Sequence, residues 1–161
     1  MTTKTEITNA EAAHAELDQA REDFRELVLG LSSEEWNRTS HNAAWTNGQL
    51  CWHIAFTASG GTLRVTRLRQ HKDMKPPGAL MAVLNVLSLW LVRIRSRGAT
   101  PDSVLAFFEE RLAMTRGMID TVADDEWGNG GVFLGEPMTV GSSFGFLREH
   151  ISEHAAEMRR D

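Results

Sequence analysis

The chain has 161 residues, of which 42% are hydrophobic and 24% are charged, and its formal net charge is −5. These values are typical of a globular domain with its own hydrophobic core, so we predict a single domain over residues 1–161. No block of Lys and Arg stands out, which argues against nucleic acid as a partner because phosphate binding needs clustered positive charge.

Cys51 is the sole cysteine, which excludes an intrachain disulfide and fits a reducing compartment. The N-terminal segment MTTKTEITNAEAAHAEL is polar and lacks the apolar stretch of a signal peptide. The most apolar run, Ala79 to Val92, is shorter than the ~20 residues that a membrane-spanning helix needs. We therefore expect a cytoplasmic protein with no membrane partner.

Helical patterns dominate the chain, beginning with a predicted helix from about Asn9 to Leu29 that Gly30 is placed to end. Its inner face is expected to carry apolar residues at helical spacing, namely Ala13, Leu17, Phe24, Val28 and Leu31. Ser32 or Ser33 could then cap a short helical turn.

A second helix is predicted from an N-cap at Thr46 to about Arg69. Gly60 and Gly61 weaken it by roughly 1 kcal/mol each relative to Ala. Either the helix kinks at this pair or a neighbouring backbone comes close. The sequence KPPG at residues 75–78 then predicts a firm break.

The run from Ala79 to Arg95 is apolar on most faces, which suits a buried or interfacial helix or the lining of an apolar pocket. A further main helix is predicted after a cap at Thr100. The residues from Ala123 to Pro137 are rich in Gly and acidic side chains and predict a long loop, and no strand-type alternation persists in the chain. The last helix is expected to begin at Thr139 or Ser142.

Four main helices in a chain of this length predict an all-α fold with the architecture of an antiparallel four-helix bundle. The connection between the second and third main helices is about thirty residues long. This length is compatible with a crossover that contains the apolar run as an extra helical segment.

His150 and His154 are four residues apart, so they lie one turn apart on the same helix face. Leu147, Ile151 and Met158 share that face, which indicates that both rings point into the core, where imidazoles without partners are costly. A metal ion bound by both rings would satisfy them. The alternative is a pair of core histidines that form hydrogen bonds to side chains.

His53 lies two turns into the second predicted helix, on the face that carries Leu50, Ile54 and Thr57. A bundle places the inner faces of different helices opposite one another, so this ring can meet the other two. His53, His150 and His154 would then be three metal ligands with an open fourth position, as in a catalytic site. Imidazole suits Zn, Cu, Fe and Ni, so the residue type alone does not select the metal.

The three other histidines are weaker candidates. We expect His14 on a solvated face, His71 at an exposed position, and His41 in a polar loop that could border the site. Cys51 lies roughly opposite His53 around the helix, which argues against a Cys–His nucleophile pair.

Two further sets of residues have both a plain and a functional interpretation. A row of three acidic residues on the last helix most simply forms a solvated face, although one of them could orient a ligand imidazole; the row is Glu149, Glu153 and Glu157. Trp45 and Trp52 flank the start of the second helix, and we predict that both pack in the core.

The stretch WTNGQLCWHIAF, with Trp45, Thr46 and His53, resembles the helix that opens the DinB/YfiT-like superfamily domain. There a Trp-Ser/Thr start leads within two turns to a metal histidine. REHISEHAAEMR resembles the last helix of that superfamily, in which an HxxxH pair completes the triad, and GEPMTVGSSFGFLREH resembles the lead-in to that helix. Carried over by position, the metal ligands are His53, His150 and His154. Many members continue with another His and an Arg-Gly, whereas this chain reads HAAEMRRD.

Domains related to this superfamily include the N-terminal part of mycothiol-dependent maleylpyruvate isomerase and the bacillithiol and mycothiol S-transferases. The resemblance implies a divalent metal ion, Zn or Ni, and a low-molecular-weight thiol such as mycothiol as co-substrate. One hypothesis is an enzyme whose metal lowers the pKa of that thiol for attack on a small-molecule electrophile. The other is a non-catalytic bundle that binds an apolar ligand or partner, with the run from Ala79 to Val92 at a homodimer face.

Overall fold

The computed structural model describes residues 6–41, 45–74 and 78–158. Within these ranges the chain is mainly helical, which confirms the predicted helical class. The helices are α1 (Ala10–Leu29), α2 (Ser33–Asn37), α3 (Asn47–Thr57), α4 (Gly60–Arg69), α5 (Gly78–Arg95), α6 (Pro101–Ile119) and α7 (Val140–Glu157). Two antiparallel strands, β1 (Gly130–Phe133) and β2 (Glu136–Thr139), lie between α6 and α7.

The first helix has the predicted boundaries. The Asn9 side chain caps it by accepting a hydrogen bond from the Ala12 N–H at 2.8 Å, and the helix ends before Gly30. The predicted inner face is buried, with Leu17 and Phe24 fully inaccessible to solvent. The sequence pattern was sufficient here because both the cap and the apolar face are local signals.

The predicted second helix is divided into α3 and α4 at the expected weak point. α3 ends at Thr57, and α4 begins at Gly60 after Ser59, whose side chain makes no capping hydrogen bond. At Gly61 a neighbouring side chain and not a backbone comes close, because a Cβ there would lie 3.1 Å from Thr115 Cγ2 on α6. Of the two expected consequences of the glycine pair, the interruption of the helix is the one that occurs.

The predicted long loop is wrong for the segment that forms β1 and β2. The two strands pair from Gly130 opposite Thr139 to the turn at Leu134 and Gly135, where both residues have positive φ. Each strand has four residues, and in β2 only Met138 is buried. Strands this short show no alternation that a sequence pattern could reveal.

The hydrophobic core lies among α1, α3, α4, α6 and α7, since α6 and α7 both pack against α1, α3 and α4. Its largest fully buried side chains include Phe24, Phe108, Phe144, Leu50 and Ile54.

α5 lies outside this arrangement and packs against α3. Val92 is buried, whereas Val86, Leu87, Trp90 and Ile94 are more than half exposed. None of the described helices combines the length and apolarity needed to cross a bilayer. The predicted break at residues 75–77 lies outside the described residues.

Candidate metal centre

Contacts at the start of α3 fix the orientation of the helix that carries His53. Thr46 and Gln49 form a capping box in which each side chain accepts a hydrogen bond from the backbone of the other. The buried Asn47 amide donates to the Glu35 carbonyl at 2.9 Å. The absence of a side chain at Gly48 lets Trp36 pack directly on α3. The second turn of α3 therefore faces the core in a defined register.

The start of α7 is fixed by similar means. Thr139 and Ser142 form a capping box, which selects the earlier of the two predicted start positions. The chain segment before α1 crosses this turn closely, because a Cβ at Gly141 would overlap the Ile7 carbonyl oxygen. α7 then packs against α3 and α4 and presents His150 and His154 toward them.

The structure brings the three predicted ligands together. One nitrogen from each of His53, His150 and His154 lies within 4.8 Å of the others. The ring centres are 5.3 Å apart for His53 and His150, 5.1 Å for His53 and His154, and 4.5 Å for His150 and His154. Two helices that are distant in sequence thus meet at one cluster, as the sequence analysis predicted; metal ligation itself stays a prediction.

Burial keeps two of the rings uncharged. The pKa of His53 is lowered to about 4, mainly by burial and to a smaller extent by the neighbouring His154, while Glu157 opposes the shift. Burial also lowers the pKa of His150 to about 3, with smaller contributions from His154, His53 and Arg64. At neutral pH both imidazoles are therefore neutral, which is the protonation state that binds a metal ion.

Glu157 orients the third ring. Its carboxylate oxygen lies 2.9 Å from Nδ1 of His154, and because a carboxylate only accepts, Nδ1 carries a proton and Nε2 is the nitrogen left to bind a metal. Of the acidic row on the last helix, this is the residue with the orienting contact. The backbone N–H of His41 donates to the Glu157 carbonyl at 2.8 Å, so the loop before α3 is tied to the same turn.

The donor set fits a divalent metal ion. In a tetrahedral zinc site with Zn–N distances of about 2.0–2.1 Å, ligand nitrogens are about 3.3 Å apart, so the observed cluster needs only small ring movements. Nε2 of His150 is buried and has no hydrogen-bond partner among the described residues. Because an unpartnered buried nitrogen is costly, this atom indicates that the cluster binds something the chain does not supply.

Aromatic rings form the walls of the cluster. The Trp45 ring lies 4.9 Å from that of His53, and Phe146 stacks on His150 at 5.7 Å with an angle of 17° between the planes. Trp45 is buried as predicted, and its ring packs against that of His53, one of the three candidate metal ligands. Trp52 is partly buried and stacks on Phe107 away from the cluster.

Sequence reasoning missed Phe146 and Arg64. Phe146 lies one turn before His150 on α7, and the guanidinium carbon of Arg64 lies 4.3 Å from the centre of the Phe146 ring. The helical spacing of Phe146 and His150 was a usable signal. No sequence signal placed Arg64 here, because its position depends on how α4 packs against α7.

The cluster does not include the three other histidines. His14 is partly buried instead of fully solvated, and its Nε2 lies 2.8 Å from an Asp120 carboxylate oxygen. His71 is exposed as expected and has a positive φ, and the His41 side chain is also exposed. Cys51 is fully buried in α3.

A mainly helical chain with three imidazoles converging from two helices defines a class of candidate metal-binding helical proteins. Comparison with protein families identifies the class more closely, since the family model of the DinB superfamily matches residues 16–158. The chain therefore belongs to the DinB superfamily, and the resemblance seen in its motifs is confirmed. Searches of curated proteins and of solved structures gave no significant match.

Proposed function

We propose that this protein is a metal-dependent enzyme in which His53, His150 and His154 bind one divalent ion, Zn or Ni, and leave a coordination position open. Two observations support this proposal: three histidine nitrogens converge, and the buried Nε2 of His150 has no hydrogen-bond partner among the described residues. Three imidazoles from two helices satisfy the ligand number of catalytic zinc sites, which keep a fourth position for a water or substrate.

The reaction we propose is transfer of a low-molecular-weight thiol such as mycothiol to a small-molecule electrophile, or thiol-dependent isomerisation of one. A bound divalent ion supplies Lewis acidity, which lowers the pKa of a thiol at the open position. The chain contributes neutral rings, the Glu157 carboxylate that fixes the proton of His154, and aromatic walls that limit access of water. No separate general base is assigned.

The four-helix-bundle architecture belongs to the same proposal. It is supported by the mutual packing of α1, α6 and α7 with the α3–α4 segment, because these are the main helices predicted from sequence. In such bundles, metal sites are built from side chains on facing helices, as α3 and α7 provide here.

Metal analysis followed by a thiol assay tests this function. Purified wild-type protein should contain about one equivalent of Zn or Ni, and the His154→Ala variant should contain far less. The metal-loaded protein should consume thiol faster than buffer with at least one electrophile of a panel. The proposal fails if wild-type protein contains no stoichiometric metal and melts at the same temperature as His154→Ala with and without added Zn or Ni.

The second candidate function is non-catalytic binding of an apolar ligand or partner, including a second copy of the chain. The exposed apolar residues of α5 favour it, because surface of this kind marks interaction sites. Stoichiometric metal without any thiol consumption, together with concentration-dependent dimer formation, would favour this function over the enzyme.

A further inference from the structure

Arg64 is a buried cation with no counterion in the part of the chain that the structure describes. It is only 6% exposed, and its Nε atom has no hydrogen-bond partner among the described residues. Burial alone lowers the pKa of Arg64 to about 10, with no described carboxylate close enough to raise it. Since buried arginines are normally paired, this side chain lacks the anion that its chemistry requires.

Two aromatic rings explain only part of the environment of Arg64. The guanidinium carbon lies 4.3 Å from the Phe146 ring centre and 5.3 Å from that of Phe133. Ring faces attract a cation, but they do not accept the in-plane hydrogen bonds of the five N–H groups. These contacts therefore hold the guanidinium in position and leave its N–H donors for a ligand.

The two terminal nitrogens of Arg64 lie over the first turn of its own helix. A Cβ at Gly60 would be 3.5 Å from Nη1, and one at Gly61 would be 3.8 Å from Nη2. The cap residue Ser59 makes no side-chain hydrogen bond to this turn. The glycine pair thus lets the guanidinium lie against this turn, where the helix N-terminus adds partial positive charge.

This basic site adjoins the histidine cluster. Phe146 contacts both the guanidinium and the His150 ring, so the guanidinium carbon lies at most about 10 Å from the His150 ring centre. A ligand of a few carbon atoms can span that distance. A negatively charged group of a substrate would consequently be bound on the side of the cluster that faces α4.

We propose that Arg64 binds the carboxylate of a small-molecule substrate whose other end occupies the open position beside His53, His150 and His154. The inference rests on the proposed function and narrows its substrates to carboxylate-bearing molecules. A carboxylate is favoured over a phosphate because one planar guanidinium pairs with it bidentately, and no second described cation contacts the Phe146 ring.

The first test measures anion binding to metal-free protein by titration calorimetry. The probes are glutarate, its neutral diamide glutaramide, and inorganic phosphate; the variants are Arg64→Met, Arg64→Lys and Arg67→Met. Arg67 is the matched control, because it lies on the same helix and its guanidinium donates to the Asp73 carbonyl at the other end. Wild type and Arg67→Met should prefer glutarate over glutaramide at least tenfold, Arg64→Lys less, and Arg64→Met not at all.

Three outcomes would overturn the inference: no glutarate preference in wild type, an undiminished preference in Arg64→Met, or Arg64-dependent binding of phosphate tighter than that of glutarate. Thermal melting adds a second readout. Removing an unpaired buried charge should leave Arg64→Met melting at the same or a higher temperature without anion. A large drop would assign Arg64 a structural role instead.

The second test asks which reactant carries the carboxylate. Cobalt-loaded protein is titrated with 3-mercaptopropionate and with 3-mercaptopropanamide, and thiolate binding is followed by absorption. An Arg64-dependent tenfold preference for the acid places the carboxylate on the thiol. An equal response to both thiols, with Arg64-dependent binding of fumarate over fumaramide, places it on the electrophile. If no thiol binds cobalt-loaded protein, the proposed function fails, whereas the glutarate result still decides the role of Arg64.

Discussion

α5 and α7 are both eighteen residues long, yet α7 partly buries polar side chains and α5 exposes apolar ones. α7 turns His150 and His154 toward a partly buried cluster, whereas α5 exposes Val86, Trp90 and Ile94 to solvent. An unpartnered buried nitrogen and an exposed apolar face both cost free energy. Each helix therefore indicates what would bind to it: the buried imidazoles of α7 favour a cation, and the exposed apolar side chains of α5 favour an apolar surface.

Removal of one triad histidine should have the largest effect on the α7 side of this comparison. A metal ion at about a thousandfold excess over its Kd stabilises the folded protein by about 4 kcal/mol, and His150→Ala should lose most of that increment. Thermal melting with and without chelator measures the difference. His14→Ala is the control, since His14 is not part of the cluster and contacts Asp120. An equal metal response in both variants would contradict the assignment.

Acidification should destabilise the metal-free protein. His53 and His150 have native pKa values of about 4 and about 3, against about 6.5 in the unfolded chain. As pH falls below about 6.5, the unfolded state takes up protons that the native state does not. The free energy of unfolding should therefore fall toward pH 4, by up to about 1.4 kcal/mol per pH unit for each ring.

Urea unfolding of chelator-treated protein at several pH values checks this dependence. His150→Asn should show a shallower decrease than wild type, because one of the two depressed pKa values is removed. An identical slope in both proteins would mean that the buried rings do not control the acid response.

The Glu157→Gln substitution should have a smaller effect than loss of a ligand. Without the carboxylate, the proton on Nδ1 of His154 is held less firmly. Loss of a hydrogen-bond partner that orients a metal-binding histidine typically lowers metal affinity 10- to 100-fold. Competition with a chromogenic chelator measures the change. Glu153→Gln, an exposed position on the same helix, is the control and should bind metal as wild type does. If both variants bind the metal with equal affinity, Glu157 does not contribute to metal binding.

The Trp90→Glu substitution probes the α5 side and should have the smallest effect on stability, within about 0.5 kcal/mol, because Trp90 is 60% exposed. If a second copy covers this face, the substitution should weaken dimer formation in sedimentation equilibrium. Met114→Glu on α6, at a position that is 50% exposed, is the matched control and should not. If the wild-type protein stays monomeric at high concentration, a second copy of the chain does not cover the exposed face of α5.

Sequence patterns predicted the parts of the molecule that local signals determine. Thr46 and Thr100 cap helices as predicted, because each provides a side-chain acceptor for the first turn. Asn9 caps α1 close to its predicted start, and Thr139 is the earlier of the two starts predicted for the last helix. The three histidines were found because helical spacing fixes the face on which each lies.

Features that depend on tertiary packing were missed. The β1–β2 hairpin has too few buried residues to produce a pattern. Arg64 reads as an ordinary basic residue in the sequence, and only the approach of Phe133 and Phe146 makes it a buried cation. The pairing of Glu157 with His154 was open among three glutamates until the geometry of the last turn selected one.

The histidine cluster joins α3 to α7, and its members His53 and His150 lie nearly a hundred residues apart in a chain whose single cysteine excludes an intrachain disulfide. A metal ion bound there acts as a reversible cross-link that closes most of the chain into a loop, as a disulfide does elsewhere. Contacts so distant in sequence tend to form late in folding. Metal should therefore slow unfolding far more than it accelerates folding, so that resistance to proteolysis in the cell would follow the supply of the ion.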